Sequence, residues 1–125
     1  MKRDLDLLRK ILLAVENADG FYSYNGVDQV ASAVGYSDLS IISFHISLLV
    51  DSDYIEVTEV TCCGQAYDDY LIKRLTAAGC DYLDSVRNDS IWDATKATIA
   101  KAGGSCALSL VKSIAEKVIL SQISM

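Results

Sequence analysis

Four kinds of residue in this 125-residue chain could do chemistry, and the spacing of each limits what that chemistry would be. His45 is the sole histidine, so general acid–base work would need a nucleophile or carboxylate brought to it by the fold. Cys62, Cys63, Cys80 and Cys106 lack the C-x-x-C spacing of zinc or redox centres. The adjacent pair would face opposite ways on a strand, so reduced thiols are expected, with no metal site and no cofactor. Asp68-Asp69 is expected at a hairpin edge, where paired carboxylates discourage strand addition. Gly103-Gly104-Ser105 lacks the strand and the lysine of a phosphate loop. No catalytic set is complete. The sequence predicts a non-enzymatic protein in which His45 is a partly buried imidazole satisfied by nearby backbone.

Charge is distributed unevenly. No lysine or arginine occurs between Lys10 and Lys73, while that stretch holds Glu16, Asp19, Asp28, Asp38, Asp51, Asp53, Glu56, Glu59, Asp68 and Asp69. Residues 1–10 sum to +2, residues 11–72 to −10 and residues 73–125 to +2, within a net charge of −6. Non-specific DNA affinity comes from cations that neutralise phosphates, so an anionic middle argues against DNA as the main partner. At 51% hydrophobic residues the chain can bury a core of its own. Its start, Met1-Lys2-Arg3-Asp4-Leu5-Asp6, has acids where a signal peptide needs an apolar run. The apolar tail is broken by Lys112, Glu116 and Lys117, too polar for a membrane span. A cytoplasmic protein is expected.

Hydrophobic spacing supplies the elements that must position these residues. Leu5, Leu8, Ile11, Leu12 and Val15 predict a first helix over 4–17, ended by Asp19-Gly20. The aromatic segment 21–25 reads as a short strand or extended loop. A second helix over 27–34 stops at Gly35, and a third runs from a cap at Ser37 to Asp51. Its stripe is Leu39, Ile42, Ile46, Leu49 and Val50, leaving Ser40, Ser43, Ser47 and Asp51 for solvent. Alternation over 54–62 and 68–75 predicts a β-hairpin around 63–67. Thr76 caps a helix through Arg87, followed by a helix over 89–102 and a last one over 105–124.

Three helices followed by a hairpin is the order of the winged helix, and Leu75-Thr76-Ala77-Ala78-Gly79 resembles the L-T-x-x-G that closes the wing in several bacterial regulator families. The similarity extends further. The opening Met1-Lys2-Arg3-Asp4-Leu5-Asp6-Leu7-Leu8-Arg9-Lys10-Ile11-Leu12, the run from His45 to Leu49, Tyr70-Leu71-Ile72-Lys73-Arg74-Leu75-Thr76, the segment from Arg87 to Trp92 and Gly103-Gly104-Ser105 together resemble a family of small uncharacterised bacterial, phage and prophage proteins. The resemblance implies a winged-helix-like fold and no particular chemistry. Relatives tend to have Gly before the first wing strand, where this chain has Asp53, a residue that tolerates the left-handed region better than most.

The expected architecture is therefore α+β and mostly helical. Residues 1–87 form a winged-helix-like domain and residues 88–125 a helical extension for oligomerisation or docking. Two surfaces follow. The last helix carries Leu108, Val111, Ile114, Ala115, Val118 and Ile119 as a broad apolar stripe, which predicts a homodimer or a docking helix. Asp38, Asp51, Asp53, Glu56 and Glu59 predict an acidic interaction face, suited to a host protein as partner. The alternative is a dimeric DNA-binding regulator using Ser40, Ser43, Ser47, Lys73 and Arg74, flanked by Lys2, Arg3, Arg9 and Lys10 as phosphate clamps.

Overall fold

The computed structural model describes residues 1–18, 26–60 and 66–123. The expected aromatic segment 21–25, the Asp19-Gly20 helix stop and the Cys62-Cys63 pair lie outside the described residues. Those described form α1 (Leu5–Glu16), α2 (Val27–Val34), α3 (Leu39–Asp51), β1 (Ile55–Val60), β2 (Asp69–Leu75), α4 (Ala77–Val86), α5 (Asp89–Lys101) and α6 (Leu108–Ile123). The fold is mixed α+β and predominantly helical, with the helix–helix–helix–hairpin order of a winged helix and further helices after it. It divides into two compact units, residues 1–80 and 81–125.

In the first unit the core is built from stripes that the sequence displays. Leu5, Leu8, Ile11, Leu12 and Val15 of α1 are buried, and so is Leu7, which widens the covered arc. They meet Val27, Val30 and Ala31 of α2 and Ile42, Ile46 and Leu49 of α3. Burying each of the larger aliphatic side chains contributes about 2 kcal/mol. Asp4 caps α1 by accepting from the Leu7 N–H at 3.2 Å. The α3 cap is Asp38 rather than the expected Ser37: its Oδ1 accepts from Ser40 N–H at 3.0 Å and Ile41 N–H at 3.4 Å. A carboxylate there also meets the positive end of the helix dipole.

α2 and α3 end in the same way. Tyr36 N–H bonds to the Ala31 carbonyl across left-handed Gly35, and Tyr54 N–H bonds to the Leu49 carbonyl across Asp53. Asp53 is the only described non-glycine residue with positive φ, at 59°. The aspartate thus holds the position where relatives tend to have glycine, and the turn into β1 is kept. α2 begins at Gly26, which has no side chain to cap with. The Asp69 carboxylate supplies that cap from the hairpin, accepting from Val27 N–H at 2.8 Å. Asp69 is thereby a structural cap and not the exposed edge charge expected of it.

In the second unit α5 starts at the cap Asn88, whose side chain accepts from Ser90 and Ile91 N–H groups. Positive φ at Gly103 and Gly104 then turns the chain, and α6 starts at Leu108, three residues later than expected. α5 and α6 pack together around Ile91, Trp92, Thr95, Ile99, Leu108, Val111 and Ala115.

Candidate functional site

His45 sits on α3 with only 2% of its surface exposed. Its Nδ1 lies 2.8 Å from the Ile41 carbonyl and its Nε2 accepts from the Asp4 N–H at 2.8 Å. That pairing fixes the neutral Nδ1–H tautomer, because a carbonyl can only accept and a backbone N–H can only donate. Both ring nitrogens are engaged in joining the start of α1 to α3. This is the backbone-satisfied imidazole that the sequence predicted. Cys80 is exposed, Cys106 is half-buried, and neither is in a disulfide. Among the described residues no group of three His, Cys, Asp or Glu side chains could hold a metal ion. No single described helix is long and apolar enough to cross a membrane.

The serines proposed as base readers are not a matched set. Ser43 is buried, and its Oγ donates to the Asp68 carbonyl at 2.6 Å, which corrects its expected solvent position. Ser47 is half-buried and turns its hydroxyl back to the Phe44 carbonyl. Ser40 is half-exposed, with its amide taken by the Asp38 cap. From Leu39 to Val50, no residue of α3 is fully exposed. The outward side of this helix is therefore a mixture of serine and partly covered apolar groups.

Lys73 and Arg74 are neighbours in sequence and would face opposite ways on a regular strand. The strand is not regular here. Glu56 pairs with Arg74 and Val57 with Ile72, so Lys73 is the extra residue of a β-bulge. The burial of β2 records the same slip, with Tyr70 and Ile72 buried in phase and Leu75 one residue late. Because of the bulge both cations reach one carboxylate: Lys73 Nζ lies 3.1 Å from Glu56 Oε1 and Arg74 Nε 2.9 Å from Glu56 Oε2. The Lys73 hydrogen bond, helped by the charges of both cations, holds the Glu56 carboxyl below the usual range. Glu56, expected on the acidic face, is a paired residue, and so are Lys73 and Arg74, the cations that the DNA-binding alternative would use.

At the base of the hairpin the L-T-x-x-G phrase acquires a structural meaning. The Thr76 hydroxyl donates to the Asp53 carbonyl and accepts from Gly79 N–H, so it both caps α4 and ties it to the α3–β1 turn. Thr76 N–H bonds to the Tyr54 carbonyl at 3.0 Å. Gly79 packs on that same carbonyl so closely that a Cβ would lie 2.0 Å from the Tyr54 oxygen. The glycine is required by space, not by dihedral freedom.

The remaining acids are placed differently. Asp38, Asp51, Asp53 and Glu59 are exposed, Asp38 being occupied as the α3 cap. Glu59 lies directly opposite Tyr70 in the hairpin register. Burial first, then the negative charges of Asp68, Glu59 and Asp51, holds the Tyr70 hydroxyl above the ordinary tyrosine range. This brings together carboxylates from the end of α3 and from both sides of the hairpin. Asp68 and Tyr70 were the members of this group that sequence reasoning missed as a site; the register that sets 59 opposite 70 belongs to the folded hairpin and left no signal in the residue pattern.

The apolar residues of α6 also divide. Leu108, Val111 and Ala115 are buried, at 6%, 0% and 0% exposure, so they are interior and not an outward stripe. Packing of α6 on α5 consumes them. Ile114, Val118 and Ile119 are half-buried, and Leu110, Leu120 and Ile123 are exposed. Ile114 and Val118, with Ala94 and Thr98 of α5, border a groove of about 550 Å³ along the helix pair.

Comparison with known proteins gives a family and no activity. An uncharacterized protein of Haemophilus influenzae is 27% identical over 133 aligned positions, which cover 99% of this chain and 100% of that protein. No solved structure matches the chain significantly. Residues 2–105 match the family described as "Hypothetical protein (DUF2513)", and the chain belongs to that family.

Proposed function

We propose that the protein works without catalysis, through protein contacts made by an anionic α3–wing face, and that α6 serves self-association. The reading rests on one observation. The wing-strand cations Lys73 and Arg74 are both held by Glu56, while Asp51, Glu59 and Asp68 form no ion pair with any described residue. The surface that a DNA-binding winged helix turns to phosphate is here negative, and like charges at such an interface cost affinity. A basic groove on a host nucleic-acid-binding complex is the kind of surface such a face would occupy. An accessory role of this sort suits the phage and prophage proteins that the sequence resembles. His45 supports the absence of catalysis, because each ring nitrogen already has a backbone partner.

The test is fluorescence anisotropy with labelled random duplex and the chain's own promoter at low salt. Little binding is expected, with a log–log salt slope of magnitude below about 2. Tight binding with a steep slope would instead favour a dimeric DNA-binding regulator. Self-association is tested by sedimentation of the full chain and of Ile114→Glu, the variant expected to remain monomeric at concentrations where the parent pairs.

A further inference from the structure

The start of α1 is capped from two directions, and the second cap comes from another helix. The Asp4 carboxylate accepts from the Leu7 N–H, as an N-terminal cap should. In a full capping box the third helical residue answers by accepting from the cap's own N–H, which requires Glu or Gln at that place. Here that residue is Leu7, which has no acceptor to give. The His45 Nε2 supplies it instead, accepting from the Asp4 N–H at 2.8 Å from a position 41 residues along the chain. Its Nδ1 is committed as a donor to the Ile41 carbonyl, so the two bonds together hold one tautomer.

A glutamine would keep such a bond at any ordinary pH, whereas an imidazole keeps it only while neutral. A proton on Nε2 turns the acceptor into a donor and sets two N–H groups against each other. At 2% exposure water has little room to intervene between them. We propose that His45 is a proton-operated latch: the neutral ring completes the α1 cap, and its protonation releases residues 1–4 from α3. The inference is independent of the contact face proposed above. A cavity of about 280 Å³ lies beside the ring, with Met1, Lys2, Leu7, Tyr36 and Ile41 in its wall. Since Asp4 and the two residues at the chain start belong to that wall, release opens the cavity to solvent.

The ionisable groups around the cavity are of both signs. The Met1 amino group and Lys2 oppose a charged ring, the Asp4 carboxylate favours one, and the Tyr36 phenol completes the set. Of the elements packed on α3, α1 also carries Asp6, Arg9, Lys10 and Glu16, α2 carries Asp28, and β1 carries Glu56 and Glu59; none of these is in the cavity wall. Asp38 and Asp51 stand at the two ends of α3, the former bonded to the Ser40 and Ile41 amides. With opposite charges flanking the ring, the acceptor role of Nε2 sets the direction of the switch.

The experiment follows the isotope-labelled full chain by NMR from about pH 8 to about pH 5, the span over which an imidazole ordinarily changes charge. Ring nitrogen shifts report protonation, and hydrogen exchange of the Asp4 amide, relative to its unstructured rate, reports release. The two should move together, with Asp4 protection falling by up to about tenfold per pH unit, as for one linked proton, while α6 amides keep theirs. His45→Gln can donate and accept but takes up no proton, so its Asp4 protection should be flat across the range. Circular dichroism checks that this variant folds; if it does not, the parent's two readouts decide. A ring that stays neutral throughout, a ring that charges while Asp4 stays protected, or an Asp4 amide unprotected even at about pH 8 overturns the proposal. So does an equal fall of Asp4 protection in folded His45→Gln.

Discussion

At its base the wing hairpin sets one carboxylate, Glu56, between Lys73 and Arg74, whereas farther along Glu59 and Asp68 stand with Asp51 and no cation among the described residues. The two regions lie on the same two strands and differ by a single inserted residue. The bulge at Lys73 turns two consecutive cations to one side and spends them locally. Nothing comparable happens beyond it. Where the cations sit on the hairpin, as much as how many there are, decides which of its carboxylates stay unpaired.

The base of the hairpin is most vulnerable at Gly79. Gly79→Ala would drive a methyl group into the Tyr54 carbonyl, and relieving the clash must separate α4 from the α3–β1 turn. A loss of about 3 kcal/mol is expected, at the upper end for overpacking. Thermal denaturation measures it, and a fall in Tm of less than about 5 °C would show that the contact yields easily. Next comes Thr76→Ala, which removes both the α4 cap and the bond to Asp53, with an expected loss of about 1 kcal/mol by urea titration.

Glu56→Gln leaves the hairpin base intact and changes only its charge. Lys73 and Arg74 would lose the negative charge that holds them, and the base of the hairpin would become basic while the far end stayed acidic. Duplex affinity at low salt should then rise several-fold, with a salt slope steeper by about 1 for each cation that finds a phosphate. An unchanged slope would mean that the pair does not restrain these cations. Acid titration reaches the same group. The Glu56 carboxyl is held below its ordinary value of 4.5, so its contribution is present above that value and fades as pH falls through the depressed one. In Glu56→Gln that part of the acid sensitivity should vanish.

The smallest effect lies at the far end. Removing one charge there, as in Asp68→Asn, should raise stability by about 0.3 kcal/mol through relief of repulsion. It should also move the Tyr70 titration toward the ordinary value of 10.0 in an ultraviolet difference experiment, leaving the larger effect of burial in place. Tyr54 and Tyr70 are both raised by burial, so their contribution to stability is whole below pH 10.0 and is lost as pH rises through the elevated values.

What could be read from the residues followed from local rules. The α1 stripe, the Gly35 stop, the hairpin order and the left-handed Asp53 each depend on neighbours a few positions away. The backbone-satisfied His45 was also legible, since a lone imidazole on an apolar helix face needs partners. The misreadings involve partners distant in sequence. Ser43 looked solvent-facing because its acceptor is the Asp68 carbonyl, and Asp69 looked like an edge charge because the amide it caps belongs to Val27. The stripe on α6 was visible, yet periodicity alone did not say which half of it α5 would cover. The bulge was legible in principle: Tyr70 and Ile72 keep one phase, and Leu75 breaks it.

The Asp69 carboxylate accepts from Val27 N–H at 2.8 Å and from Tyr70 N–H at 2.9 Å with the same oxygen. One atom thereby fastens the first turn of a helix to a strand that follows it only after another helix and another strand. Gly26 has no side chain to offer in its place, so α2 cannot leave β2 without uncapping its first amide, whereas the Tyr70 bond lies within β2 and survives the parting. Asp69→Ala should therefore open the first turn of α2 to solvent deuterium, speeding exchange at Val27 and its neighbours more than along β2 beyond Tyr70.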